Sequence, residues 1–469
     1  RALVANLEVP GDERPQELTG SEQLAERSHH AAEYEGGAGL PADAVSACPA
    51  PSMDAVTRVL LLAPDVPPAP GALAAGPGIR YGELAAVLRA AGHEVTLAAP
   101  AQAPGADAVW SADSVGRLAA GHEAVVLGQG HADLGRAVAR ALPGQLPVVV
   151  DCYAPGIIEA IALNDDPGMF PGFLARTVEL LKRGDLFLVA NTPQRLYTLG
   201  LLSAAGRVNP TTYGDPPLLE VPFGVPVEPP GPVRRRVGRG VLVPEDAALV
   251  LWYGGVYPWF DCATAVRGFA RALERVPNAW FVIVGGRHPR AHAPDARLLE
   301  ALAAARELGV AERVVEAPWG PYDERVAWYA EADCAICLHH RGLETELSHR
   351  TRLVDLLWGR VPVVSSAGDV VGERAEAAGA GITVPIGDDA AAGDALIEML
   401  ESPERRDARS AAAARLAEEL SWPRVLEPLV RWLEDPHVAA DRVSTGSWSE
   451  AIRSLIGAAR AARDGQRSG

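Results

Sequence analysis

LHHRGLETELSHRTRLVDLLWGRVPVVSSAG, residues 338–368, is the segment from which the rest of the chain is read. The run before it, CAICL (334–338), is apolar without a helical period and reads as a buried strand. A polar loop follows, with His339, His340, Arg341, Glu344, Thr345, Ser348, His349, Arg350, Thr351 and Arg352. An apolar helical face then emerges at Leu353, Leu356 and Leu357, the helix stops at Gly359, and VPVVSS is the next strand. A helix that starts at the carboxyl end of a parallel strand presents unpaired N–H groups and a positive dipole end, which favour a phosphate. Arg350 and Arg352 add full charges there, and Asp355, one turn further in, is placed to accept hydrogen bonds from sugar hydroxyls. The alternative is an ordinary strand-to-helix loop whose charges are solvated.

The chain has 469 residues, 48% of them apolar, which is enough for two or three domains, and it contains no apolar run long enough to span a bilayer. Its net charge of −17 argues against a nucleic-acid partner. The cysteines are Cys48, Cys152, Cys262, Cys334 and Cys337, an odd number mostly in strand-like runs, which fits a reducing, cytoplasmic setting. Cys334 and Cys337 form a CxxC at strand spacing without a second pair, so packing is favoured over zinc and no metal site is expected.

Residues 1–54 are rich in Ala, Gly, Glu and Pro with little periodicity and read as a mostly disordered arm or an upstream extension, its His29–His30 pair solvated. RVLLLAP (58–64) is a strand of the parallel type. The loop at Gly76, Pro77 and Gly78 then leads into a helix with Leu84, Val87 and Leu88 on one face. This opens a doubly wound sheet, and without a GxGxxG fingerprint NAD is disfavoured. Arg80 has two readings, a ligand for phosphates or a cap for surface carboxylates. AVVLGQG and LPVVVDCY end in Gln129 and His131, and in Asp151 and Tyr153, at the carboxyl edge where such sheets bind ligands. His131 can serve as a general base or be a helix-capping or surface residue. Asn191 or Thr192 reads as a helix cap. Residues 225–239 read as a linker whose Arg234, Arg235, Arg236 and Arg239 form a solvated face.

A second strand–helix series begins at ALVLWYGGVYPWFD, where Gly254 and Gly255 would let a diphosphate approach the backbone. AWFVIVGGRHPR delivers Arg287 and His288 after two glycines, and Arg287 is the leading candidate for the phosphates because its planar fork fits phosphate oxygens. Trp319 either flanks a nucleotide base or packs. SWPRVLEPLVRWLEDP (421–436) is an amphipathic helix, and another is expected at 448–462.

Asp355 followed by LLWGRVPVV resembles the segment of retaining family 4 glycosyltransferases of the GT-B fold in which an acidic residue stands seven before a Pro. LETELSHRTRLVDLLWGRVPVVSSAGD is similar to a subgroup from bacterial polysaccharide and antibiotic pathways. GPGIRYGELA, VVVDCYAPGIIE, RGDLFLVANTPQRLYTLGLL, YGGVYPWFD and the helix at 421–436 extend the resemblance from about residue 58 to 433. It departs in two places. Leu347 stands where the wider family has a Glu, leaving Glu344 as the candidate to act from a shifted backbone, and no Lys occurs between Gly254 and Arg275.

The resemblance implies an α/β chain of two Rossmann-like domains facing a cleft. An arm at 1–56 precedes an acceptor domain at 57–224, a linker at 225–240, a nucleotide-sugar domain at 241–420 and a crossover helix and tail at 421–469. The implied donor set is Gly254, Gly255, Arg287, His288, His339, Glu344, Thr345, Ser348, Arg350, Thr351, Arg352 and Asp355. The implied acceptor side is Gly78, Arg80, Gln129, Asp151 and Tyr153. Catalytic candidates are Arg287, Asp151, His131 and Glu344. The expected activity is metal-independent, retaining transfer from a nucleotide-diphosphate sugar to a small molecule or glycan. No cofactor is expected. The leaving phosphate would take the acceptor proton, with His131 or Asp151 orienting the acceptor. Two alternatives stay open: a nucleotide-sugar 2-epimerase using His339, Glu344 and His349, and an inactive nucleotide-sugar-binding module.

Overall fold

The computed structural model describes residues 56–129, 141–163, 168, 170–233, 235–287 and 295–442. The readings of the arm, Cys48, His131, Arg234, His288 and the helix at 448–462 lie outside the described residues.

Two parallel sheets make up this part of the chain. The first contains β1 (Arg58–Leu62), β2 (Glu94–Ala99), β3 (Ala108–Val109), β4 (Ala124–Gly128), β5 (Val148–Asp151), β6 (Leu186–Val189) and β7 (Leu218–Glu220), in the order β3-β2-β1-β4-β5-β6-β7. The second contains β8 (Ala248–Tyr253), β9 (Ala279–Val284), β10 (Val314–Ala317), β11 (Cys334–Cys337), β12 (Val363–Ser366) and β13 (Gly381–Val384), in the order β10-β9-β8-β11-β12-β13. Strands this apolar are stable only with both faces covered. Alternation along β1 shows it, since Leu60 and Leu62 join one core while Val59 and Leu61 join another on the opposite face. In each sheet the strand order reverses once, between β1 and β4 and between β8 and β11, and crevices for ligands open at such points.

The helix Trp422–Leu433 returns to the first sheet. Its Trp422, Val425, Leu426, Leu429 and Leu433 enter the core that holds Val59, Leu61, Leu84 and Leu88, and the hydroxyl of Thr57 donates to the Leu433 carbonyl at 2.6 Å. The preceding helix, Pro403–Glu419, escapes the periodicity reading because it buries mostly alanines: Ala412, Ala413 and Ala417, with Leu416. The helix of the 338–368 segment is two pieces, Leu343–Leu347 and Thr351–Trp358, separated by extended backbone at Ser348 and Arg350.

Of the described linker arginines, Arg235 and Arg236 are exposed, in keeping with a solvated face, and Arg239 is half-buried. Arg235 pairs with Glu324, Arg236 with Glu245 and Arg239 with Asp333. Glu331 accepts backbone N–H bonds from Val237 and Gly238 at 2.8 and 3.0 Å, which fastens the linker to the second lobe. All four cysteines of the described residues are buried and free. Among the described residues no helix is long and apolar enough to cross a membrane.

Arg80 and Asp151 form a strut inside the first lobe, and neither side chain is exposed. Arg80 Nε and Nη2 donate to the two Asp151 oxygens at 2.7 and 2.9 Å, and the carbonyls of Pro222 and Val221 accept at 2.9 and 3.0 Å. The pair ties the first helix to β5 and to the exit of β7. Removing one partner of a buried pair strands the other charge, so Arg80→Met and Asp151→Asn should each cost about 3–5 kcal/mol. Urea denaturation checks this, and the double variant Arg80→Met/Asp151→Leu should lose less than the sum of the two single losses.

Candidate functional site

A cleft of about 250 Å³ lies between the lobes. The second lobe lines it with the loop after β8, the start of the helix Thr351–Trp358 and the face of the helix Arg325–Glu331. The first lobe contributes Gly76, Pro77 and Ile79, and the chain crossing between lobes contributes Phe223, Gly224, Pro226 and Trp422.

Gly254 and Gly255 sit at the second switch point. Gly254 has φ +98°, which favours glycine, and a Cβ there would stand 3.4 Å from Arg352 Nη2. Its N–H is already bonded to the Val284 carbonyl, whereas the N–H of Gly255 has no backbone acceptor among the described residues. Arg352 bridges the switch point by donating to the Gly255 carbonyl at 2.6 Å. The guanidinium lies 3.9 Å over the Phe260 ring, and its Nη1 has no hydrogen-bond partner among the described residues. Burial lowers its pKa and the neighbouring Arg350 adds to this, while Cys337 and Tyr257 oppose. The first N–H groups of the helix, Thr351 and Arg352, have no acceptor among the described residues. A half-buried guanidinium beside amides that have no acceptor among the described residues is the kind of arrangement that favours an anion.

One helical turn deeper, Asp355 accepts from the Tyr329 hydroxyl at 2.6 Å and pairs with Arg325 Nε at 3.2 Å. Arg325 is stacked 3.7 Å over the Tyr322 ring. Trp319 packs against Gly285, where a Cβ would come within 3.0 Å of the indole. This end is therefore aromatic, with one carboxylate that keeps acceptor capacity. PYDERVAWYAEAD held a signal for it: Tyr322, Arg325 and Tyr329 share one helical face at spacings of three and four.

Of the expected donor residues, the structure brings Gly254, Gly255, Thr351, Arg352 and Asp355 to the cleft wall. His339, Glu344, Thr345, Ser348 and Arg350 do not line it. Arg350, read as a phosphate ligand, is committed to Glu344 in a two-pronged pair at 2.6 and 2.7 Å, with its Nε 3.4 Å from Asp369. This also corrects the reading of Glu344 as a catalytic group. Asp369 caps the next helix through Gly372, and burial pushes its carboxyl up to about 6 against the pull of Arg350. His339 lies 3.8 Å from Asp369, and burial with Arg350 and Arg352 nearby lowers its pKa well below the usual range. Thr345 donates to the His340 carbonyl at 2.9 Å, and the Ser348 carbonyl accepts from Asn191 at 3.0 Å across the lobes. Asn191 also caps its own helix through Gln194 at 2.9 Å.

Arg287, the leading phosphate candidate, is corrected as well. Its side chain is 43% exposed, it pairs with Asp295 at 2.5 Å and Glu316 at 2.8 Å, and it does not line the cleft. On the first lobe, Arg80 and Asp151 satisfy each other in the core and do not face a ligand. A Cβ at Gly78 would lie 2.0 Å from the Val66 carbonyl, so that glycine permits close packing. Gln129 is buried, its N–H bonded to the Asp151 carbonyl at 3.1 Å. Tyr153 packs under Arg80, 4.8 Å from guanidinium to ring.

Two parallel sheets whose switch points face one cleft, joined by a linker and a returning helix, constitute the GT-B fold. The chain shares it with sucrose-phosphate synthase of Thermosynechococcus elongatus, at 17% identity and TM-score 0.58, over 80% of this chain and 99% of that one. It is likewise similar to Anabaena HepE in complex with UDP-glucose, at 14% identity and TM-score 0.55, again over 80% and 99%. In sequence it is 25% identical over 292 residues to a D-inositol 3-phosphate glycosyltransferase of Thermomonospora curvata, spanning 61% of this chain and 65% of that relative's length. No family model matches the chain.

Glu344→Gln and Arg350→Met should each lower stability by about 3–5 kcal/mol, because each leaves a buried partner uncompensated. Arg287→Ala, which removes exposed pairs, should change it by no more than about 1 kcal/mol. Urea midpoints of the three variants check both expectations.

Proposed function

We propose that the protein is a glycosyltransferase that moves a sugar from a nucleotide-diphosphate donor to an acceptor. Transfer proceeds with retention and without a metal, in bacterial polysaccharide or secondary-metabolite assembly. The observation that carries this reading is the convergence of Arg352 Nη1 with the free N–H groups of Gly255, Thr351 and Arg352, one helical turn from Asp355. Diphosphate oxygens take the donors, and ribose hydroxyls reach the spare lone pairs of Asp355. Trp319, Tyr322 and Tyr329 give the base an aromatic end.

As the bond from the anomeric carbon to the diphosphate breaks, its electron pair leaves with the phosphate and the sugar gains oxocarbenium character. Donors fixed before the reaction stabilise that growing negative charge without reorganising. Arg352 reaches across from the helix side of the switch point and supplies the cation that the Lys-free segment after Gly254 lacks. The epimerase reading is weaker, because His339, Glu344 and His349 do not line the cleft. Burial also pushes the His349 imidazole down to about 3.

The relative HepE was solved with UDP-glucose, which makes that donor the first to try. UDP-, GDP-, ADP- and dTDP-glucose are compared by thermal shift, and one should raise Tm by linkage. Arg352→Met should then weaken binding of that nucleotide diphosphate about 10–100-fold, the loss of a charge-assisted hydrogen bond. Isothermal titration checks the ratio, and no Tm change with any of the four sugars would overturn the reading. Formation of an epimerised donor with no acceptor present would favour the isomerase.

A further inference from the structure

Arg325 lines the cleft together with Asp355, Tyr322 and Tyr329, and its bonding there is incomplete. Nε faces the Asp355 carboxylate, 3.2 Å from one oxygen and 3.4 Å from the other. Nη1 donates to the Tyr322 carbonyl at 3.0 Å. The guanidinium carbon lies 3.7 Å from the centroid of the Tyr322 ring and 4.7 Å from that of Trp358. The remaining nitrogen, Nη2, has no hydrogen-bond partner among the described residues, and it is not sealed from water as Arg352 Nη1 is.

A guanidinium held by two bonds and two rings has given up its freedom before a ligand arrives, so a further bond from it costs little entropy. Glu83, on the helix Gly76–Ala90 of the first lobe, is within electrostatic reach and forms no ion pair with it. The lobes also bond to each other beside this site. The Tyr322 N–H donates to the Ala72 carbonyl at 2.9 Å, and the Gly71 N–H donates to the Asp323 carboxylate at 3.3 Å. Ala74 and Ala75, which follow in the same loop, line the cleft.

Two unlike groups thus stand side by side on the cleft wall. The Asp355 carboxylate, its side chain 19% exposed, only accepts hydrogen bonds, and the Arg325 nitrogen only donates them. A hydroxyl does both, so two neighbouring hydroxyls can give to the first group and take from the second. The ribose 2′,3′-diol has that form. A 2′-deoxy sugar keeps one hydroxyl of the two and leaves part of the pair unmet. We propose that Arg325, through Nη2, binds the ribose diol of the donor jointly with Asp355, and so restricts the protein to ribonucleoside diphosphate sugars against their 2′-deoxy counterparts. Arg325 is then a specificity-determining residue, beyond the phosphate-binding part assigned to Arg352.

This rests on the glycosyl-transfer reading, and the test separates the two. Isothermal titration compares UDP, GDP and ADP with dUDP, dGDP and dADP, for the wild type and for Arg325→Met. The wild type should bind its preferred ribonucleotide about 10–100-fold more tightly than the 2′-deoxy form of the same base, because a site built for a hydroxyl rejects the analogue that lacks it. In Arg325→Met that ratio should fall at least about fivefold, and melting temperature confirms that the variant is folded. If Arg325→Met does not fold, Arg325→Lys is measured in its place with the same expectation, since it keeps a charge beside Asp355 but lacks the fork.

A double-mutant cycle tells direct contact from an effect passed through Asp355. In an Asp355→Asn background, Arg325→Met should still lower the ratio. No further fall there would mean that Arg325 acts only by steadying Asp355, and would overturn the proposal. A wild type that binds both forms alike, or prefers the deoxy form, would overturn it too, as would a ratio unchanged in the single variant, and each of these leaves the transferase intact. Absence of binding of all six nucleotides to the wild type would instead overturn the transferase reading itself.

Discussion

Arg352 is a cation held out of water on an aromatic face, and the cleft depends on that placement. Its hydrogen bond to the Gly255 carbonyl joins the two loops that flank the switch point of the second sheet. The desolvation that lowers its pKa also makes it a strong partner for any anion that arrives. A guanidinium so placed needs its neighbours kept from competing. The pairing of Arg350 with Glu344 and Asp369 achieves this by confining three charges behind the wall.

The two lobes use buried charge differently. In the first, Arg80 and Asp151 neutralise one another and hold the β5 edge in place. In the second, Arg325 is shared between Asp355 and the rings of Tyr322 and Trp358, at the wall of the cleft. The first arrangement is closed, with every guanidinium nitrogen bonded. The second keeps acceptor capacity on Asp355, which is what a ligand hydroxyl requires.

The fold was legible because buried parallel strands, glycine-ended helices and their alternation are written into local sequence. β1 after Arg58, β8 and β11 are continuous apolar runs, and Gly254 after β8 takes a positive φ that favours glycine. The site was legible in part. Arginine and carboxylate side chains announce charge but not partner, so Arg350 and Arg352, two residues apart, looked equivalent. Helical geometry sends one toward Glu344 and the other toward Gly255. Arg287 misled for the same reason, since Glu316 lies on a neighbouring strand that the sequence places far away.

Among the described residues the chain crosses between the lobes twice, and the crossings are bonded to each other. The Val225 N–H donates to the Leu420 carbonyl at 2.9 Å, and the Trp422 N–H donates to the Val225 carbonyl at 2.9 Å. The molecule thus has one pivot where two independent tethers would have given a looser, sliding joint. Phe223, Gly224, Pro226 and Trp422, which flank that pivot, are also walls of the cleft. Any swing of one lobe against the other is therefore geared directly to the width of the space a ligand occupies.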